Sequence, residues 1–128
     1  MSPVYLFDLA SRHVSWASFR QTVVTSNIAN ANTPGYIAQD VKPFADVLDS
    51  SGLEMARTSS AHLASDDVTG SVGGTTEADP WQVTDSGNSV SLDQEMIKAD
   101  EVNRTMSLDL TIERAFQRMI LTSVRSGS

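Results

Sequence analysis

Apolar residues return along the first thirty positions in alternating steps of three and four. Phe7, Ala10, Val14, Ala17, Val24, Ile28 and Ala31 follow this rhythm, and Gln21 is its one polar member. Such steps place side chains on one face of an α-helix, in a heptad-like stripe. Tyr5, Leu6, Leu9, Trp16 and Phe19 fall outside the stripe, so apolar surface spreads over more than one side. Ser2-Pro3 gives a helix-start signal, with a hydroxyl before proline at the first helical position. The pattern predicts a helix over about 3–30, roughly 40 Å long. A single partner helix cannot cover all its apolar faces.

The chain closes with a second such segment. Leu92, Met96, Ala99, Asn103, Met106 and Leu110 form one stripe; Leu108, Ile112, Ala115, Met119 and Thr122 form another, shifted in phase. The shift implies a seam that passes between partners along the helix, or a local unwinding. Ser91 with Gln94 three residues on reads as a capping box. Asp93 and Glu95 lie in the first turn and Arg114, Arg118 and Arg125 towards the far end, matching the helix dipole. A helix over about 92–124, roughly 50 Å long, is expected.

Between the two, periodicity fades. "DVKPFADVL" predicts a short helix begun by Pro43. From Ser50 the chain is rich in Ser, Thr, Gly and Asp. There it predicts at most a hairpin or two short strands around Val68, Val72 and Trp81–Val83. Much of this stretch is expected to be mobile in the isolated protein, because it buries too little to offset about 1–2 kcal/mol of ordering entropy per residue. The expected fold is mainly α: long terminal helices pairing as a coiled-coil-like hairpin, with a polar, loosely structured middle. The expected division is 1–37, a helix and its turn; 38–90, the polar middle; and 91–128, a helix forming one structural unit with 1–37.

The first helix runs into "NIANANTPGY". Asn tolerates left-handed backbone and bonds its own main chain, which suits helix ends. Thr33 precedes proline and is driven to extended geometry. Pro34-Gly35 fits the centre of a type II turn, and Tyr36 then starts an extended run. One amide would cap. Three, at Asn27, Asn30 and Asn32, either only cap or also bond a neighbouring chain without importing charge.

Charge sharpens this picture. The 128 residues carry −7 overall; residues 1–37 sum to +1, 38–90 to −7 and 91–128 to −1. An acidic middle argues against nucleic acid and against an anionic membrane surface. No run approaches a membrane span, so direct membrane insertion is not expected. Cysteine is absent, which removes disulfides and thiol chemistry. The first residues lack a basic segment followed by a continuous apolar one, so no cleaved signal is expected. Apolar content is 40% and aromatic content 6%, concentrated at the two ends, which does not suit one compact core.

The segment "NIANANTPGY", about thirty residues along and preceded by an apolar helix, resembles the signature of the bacterial flagellar rod and hook family. "DVKPFADVL", "ARTSSAHL" and "GNSVSLDQEMIKADEVNRTMSLDL" resemble the proximal rod members of that family. A sister rod member is the nearest competitor, but its proline-asparagine-valine strand before the last helix is missing here. The resemblance implies a structural subunit of the basal-body rod, spanning the periplasm and exported by the flagellar type III apparatus without signal cleavage. It would assemble with itself, with other rod subunits and with the adaptor FliE. The family turn would be Asn27, Asn30, Asn32, Thr33, Pro34, Gly35 and Tyr36. Its assembly helices would offer Phe7, Val14, Val24, Ile28, Leu92, Met96, Met106, Leu110, Ile112 and Met119.

No catalytic constellation accompanies this. His13 and His62 lack a second His or a spaced carboxylate pair, so no metal or cofactor is expected. "GSVGG" at 70–74 is not a phosphate loop, since no Lys-Ser/Thr follows. A soluble helical chaperone or adaptor would share the paired helices but not the asparagine turn.

Overall fold

The computed structural model describes residues 3–51 and 74–127. The expectations for Ser2, His62, Val68, Val72 and a mobile 52–73 lie outside those residues. Five elements follow in order: α1 (Pro3–Ala29), β1 (Gln39–Val41), α2 (Phe44–Ser51), β2 (Thr75–Glu77) and α3 (Leu92–Ser126). The protein is mainly helical, with α1 packed along α3 as the sequence predicts. Neither long helix contains glycine, and the only proline is Pro3, where a missing N–H costs nothing. His13 meets Asp109 near one end of the pair and Asn27 meets Glu95 near the other, so the helices run antiparallel.

α1 ends through a tightening coil. The Asn30 N–H is shared between the Ser26 and Asn27 carbonyls, and Ala31 and Thr33 bond three residues back. The Tyr36 N–H then bonds the Thr33 carbonyl at 3.2 Å, and Gly35 has φ +71°. This is the type II turn that Pro34-Gly35 predicts, with glycine taking the positive φ.

β1 and β2 pair antiparallel, with Asp40 opposite Thr76. "QDV" and "TTE" carry too little apolar patterning to announce themselves. Trp81–Val83 is not a strand; it lies in an irregular, exposed stretch, because no neighbouring edge offers it a ladder. α2 begins where Pro43 predicts, its Asp46 and Val47 N–H groups bonding the Pro43 carbonyl.

The core is small: Trp16, Ala17, Val23, Val41 and Val102, flanked by Phe19, Phe44, Val47 and Met106. Trp16 donates its indole N–H to the Lys42 carbonyl at 2.8 Å, so this ring is buried without stranding its donor. His13 stacks on Trp16 at 5.6 Å, and Phe44 tilts against both rings.

Candidate functional site

The side of α3 that meets α1 is polar. Ser91, Glu95, Lys98, Val102 and Asp109 are buried, and they follow the same alternating rhythm as the apolar stripes. Leu92, Met96 and Leu110 of the expected stripe are exposed, as are Ile97, Leu108, Ile112, Met119, Leu121 and Val124. Met106 alone among the α3 assembly residues packs on the core. On α1, Val24 is buried and Val14 half-buried, while Phe7 and Ile28 are exposed. The helix pair therefore has charge inside its seam and hydrocarbon outside.

Charges can occupy that seam because each has a partner. Arg20 Nε lies 3.1 Å from Asp40 Oδ1, and Arg20 Nη1 lies 3.3 Å from Glu101 Oε2. Lys98 Nζ bridges Asp40 at 3.4 Å and Glu95 at 3.2 Å. Glu95 is wholly buried and accepts from Asn27 Nδ2 at 3.1 Å. Burial works to lower the Arg20 pKa, but hydrogen bonds and attraction from Asp40 and Glu101 outweigh it and raise the value. Burial works to raise the Asp40 pKa. The Arg20 hydrogen bond, the Val41 N–H and the Arg20 and Lys98 charges prevail and hold it below the usual carboxylate range. No buried side-chain polar atom among the described residues lacks a hydrogen bond.

Asn27 is the hub of this network and does not serve as a helix cap. Its Nδ2 donates to the Gln39 carbonyl at 2.7 Å, and its Oδ1 accepts from the Gln39 N–H at 3.0 Å. The amide thus pairs with β1 as a short piece of strand would. Tyr36 adds its hydroxyl at 3.3 Å. Asn30 does the capping, donating to the Ser26 carbonyl at 2.8 Å and accepting from the Thr33 hydroxyl. Asn32 is exposed. Each of the three amides has a different situation, and the two that are engaged find their partners within one chain.

A second turn is stitched to the first. Gly35 N–H bonds the Ser86 carbonyl, and Ser89 N–H bonds the Tyr36 carbonyl. Buried Asn88 donates to the carbonyls of both Asn30 and Thr33, and its Oδ1 accepts from the Val90 N–H. Gly87, at φ +80°, lies close to Gly35, where an added Cβ would sit 3.6 Å from the Gly35 Cα. The capping box is not formed: Ser91 makes no side-chain cap bond. Gln94 instead reaches back to the Asp79 carbonyl and the Trp81 N–H, fastening the loop before the helix.

Asn88, Glu95, Lys98 and Asp109 were not among the residues the sequence singles out for a site. For Glu95, Lys98 and Asp109 the signal was the recurrence of polar residues at heptad spacing on α3, with Arg20 and His13 spaced to meet them. His13 Nδ1 donates to Asp109 Oδ2 at 2.7 Å, which gives it a place in the seam. Among the described residues no group of three or more His, Asp or Glu could hold a metal ion. None of the described helices is long and apolar enough to cross a membrane.

Outside the seam, apolar surface collects in two zones of α3, at Leu92–Ile97 and from Leu108 onward. Between them the exposed residues are polar: Asp100, Glu101, Asn103, Arg104 and Ser107. The outer face of α1 is small and hydroxylated, with Ser11, Ser15, Ser18, Thr22 and Thr25 exposed. Ser15, Thr22 and Thr25 bond carbonyls four residues back, which leaves that face flat.

Comparison with known proteins agrees. Residues 15–36 match the family model described as flagella basal body rod protein. The flagellar basal body rod protein FlgB of Agrobacterium fabrum is 40% identical over 98% of this chain and 96% of its own length. FlgB of Salmonella typhimurium is 30% identical over 85% of each chain, and FlgB of Bacillus subtilis is 36% identical over about two-thirds of each.

Proposed function

The chain belongs to the FlgB family of flagellar basal body rod proteins, and from that premise we propose which of its surfaces build the rod. It is a structural subunit of the flagellar basal body that assembles with other rod components. The FlgB relatives favour this over the sister rod protein FlgC and over a helical chaperone or adaptor. The rod belongs to a structural family rather than an enzyme family, and in our reading this chain performs no catalysis.

The single observation behind the surface assignment is the exposed apolar surface of α3, which flanks the buried seam in two stripes. Leu92, Met96, Leu108, Leu110, Ile112 and Met119 lie outside a seam that is already complete without them. Burying such side chains against neighbours contributes about 25 cal/mol per Å2 before association costs are met. Phe7 and Ile28 of α1 join the same contacts. Residues 1–37 and 91–128 act as one assembly unit, and of the polar middle segment 38–90 the stretches 38–41 and 84–90 support its base. The asparagine turn, from Asn27 to Tyr36, shapes that base from within the subunit. FliE and the flagellar type III export apparatus complete the set of partners.

The test is complementation. In a strain deleted for its FlgB, wild-type chain restores rod completion and swimming. Leu108→Asp with Ile112→Asp is expected to leave the purified protein's helicity and melting point nearly unchanged and to abolish rod completion. Swimming at the wild-type rate would remove the outer stripe from the assembly contacts.

A further inference from the structure

The two ends of the helix pair carry opposite charge. From residue 114 onward the sequence holds Arg114, Arg118 and Arg125 and no acid. At about 100° per residue the three fall along one row of α3, with Leu121 in line. Residues 117–127 are exposed throughout, and Met119, Leu121 and Val124 are 62–69% exposed. Nearby charge is largely settled, since Asp8 pairs with Arg12 and Asp109 with His13; Glu113 is the remaining acid.

At the turn end, Glu77, Asp79, Asp85 and Asp93 are exposed, with no base between 74 and 97. No ion pair among the described residues involves any of the four. Exposed Trp81 and Val83 interleave with them in sequence. The helix dipole accounts for Asp93 in the first turn and Arg125 in the last. It fades within one turn, so, against the match expected from the sequence for all three arginines, it does not account for Arg114 and Arg118, two turns or more before the helix end, or for the acids that precede α3.

We infer that the arginine-bearing, apolar last third of α3 docks on the acidic turn end of a second copy of this chain, joining copies head to tail. This rests on the assembly reading above and specifies one of its contacts. Asp93 and the arginines lie roughly 30–50 Å apart along α3, about four to six Debye lengths at physiological salt. Arg114 and Arg118 therefore cannot reach those acids within one copy. Because the two surfaces differ, each contact leaves one free end of each kind, and the arrangement propagates instead of closing. Opposite charge selects and speeds the encounter, and Met119, Leu121 and Val124 against Trp81 and Val83 supply the dry contact.

The experiment is sedimentation of the full chain over a range of concentration and salt. Wild-type protein is expected to form a ladder of oligomers that weakens about tenfold or more between low and high salt. R114E/R118E alone and Asp79→Lys with Asp85→Lys alone are each expected to lose the ladder while keeping wild-type circular dichroism. Mixing the two reversed-charge proteins is expected to restore pairing. The inference is overturned if either variant associates as wild type does, if the mixture fails to pair, or if wild type stays monomeric or stops at a closed dimer. Should L108D/I112D abolish association while R114E/R118E does not, the assembly reading survives and this contact does not. If neither changes rod completion, the assembly reading fails as well.

Discussion

The turn end and the open end of the same helix pair are built by opposite rules. At the turn end, Asn27, Asn88, Glu95 and Lys98 are buried, and each satisfies its polar atoms on another segment of the chain. At the open end, α3 continues to Ser126, and residues 117–127 are exposed throughout. The first end holds buried polar groups paired within one molecule, although Trp81, Val83, Leu92 and Met96 around it are exposed; the second holds no buried residue beyond Asp109 and exposes apolar side chains along α3. The difference teaches that the exposed hydrocarbon is not needed to close the subunit, since the core and the polar clasp are complete without it.

The strongest way to break that contrast is at Glu95. Glu95→Ala removes a wholly buried carboxylate from Lys98 and Asn27. Lys98 keeps Asp40 and Asn27 keeps the Gln39 carbonyl, so the loss is expected at the low end for a broken buried pair, about 3 kcal/mol, read as a fall in urea midpoint. Asn88→Ala comes next. It takes the second donor from the Asn30 and Thr33 carbonyls and leaves the buried Val90 N–H without its acceptor. A loss of about 2–3 kcal/mol in the same assay is expected. A cost below about 0.5 kcal/mol for both would show that the turn end is no clasp.

Acid should act on the turn end through Asp40. Its folded pKa lies below its unfolded value, so the unfolded chain binds more protons in that window. The stability it contributes is complete above the usual carboxylate range and is lost as pH falls through its depressed native value. Asp40→Asn should therefore flatten the acid limb of a melting-point profile. An unchanged limb would assign acid sensitivity elsewhere. The raised Arg20 value contributes no titration near neutrality.

The smallest expected change in stability lies at the open end. Met119→Ser with Leu121→Ser should alter the monomer's unfolding free energy by no more than about 0.5 kcal/mol, because both side chains are already in water. The same variant should weaken association clearly in sedimentation. A large loss of monomer stability would mean that the tail of α3 folds back in solution.

Much of the fold could be read from the residues because the signals were local. Heptad-like steps and the positions of Pro3, Pro43 and Pro34-Gly35 predict α1 and α3 to within two residues, the start of α2, and the turn. The buried face of α3 could not be read in this way. Hydrophobicity favours Leu92, Met96 and Leu110, whereas α1 meets Glu95, Lys98, Val102 and Asp109. Each of those charges is tolerable only because Asn27, Arg20, Asp40 or His13 stands opposite, and those partners lie far away in sequence. An apolar stripe records every surface a helix will ever cover, including other molecules. It does not say which is covered first. Ser91 and Gln94 misled for a related reason: the loop at Asp79–Trp81 competes for the amide that a capping box would use.

The charged seam has a mechanical consequence. Two greased helices can slide past one another by a heptad and lose little. Here such a slide would bring Val102 to the place where Glu95 meets Asn27 and would push Asp109 into the dry slot of Val102. A shaft made of these subunits is keyed against axial creep in every copy, so twisting load reaches the next subunit instead of being spent on shear inside the hairpin.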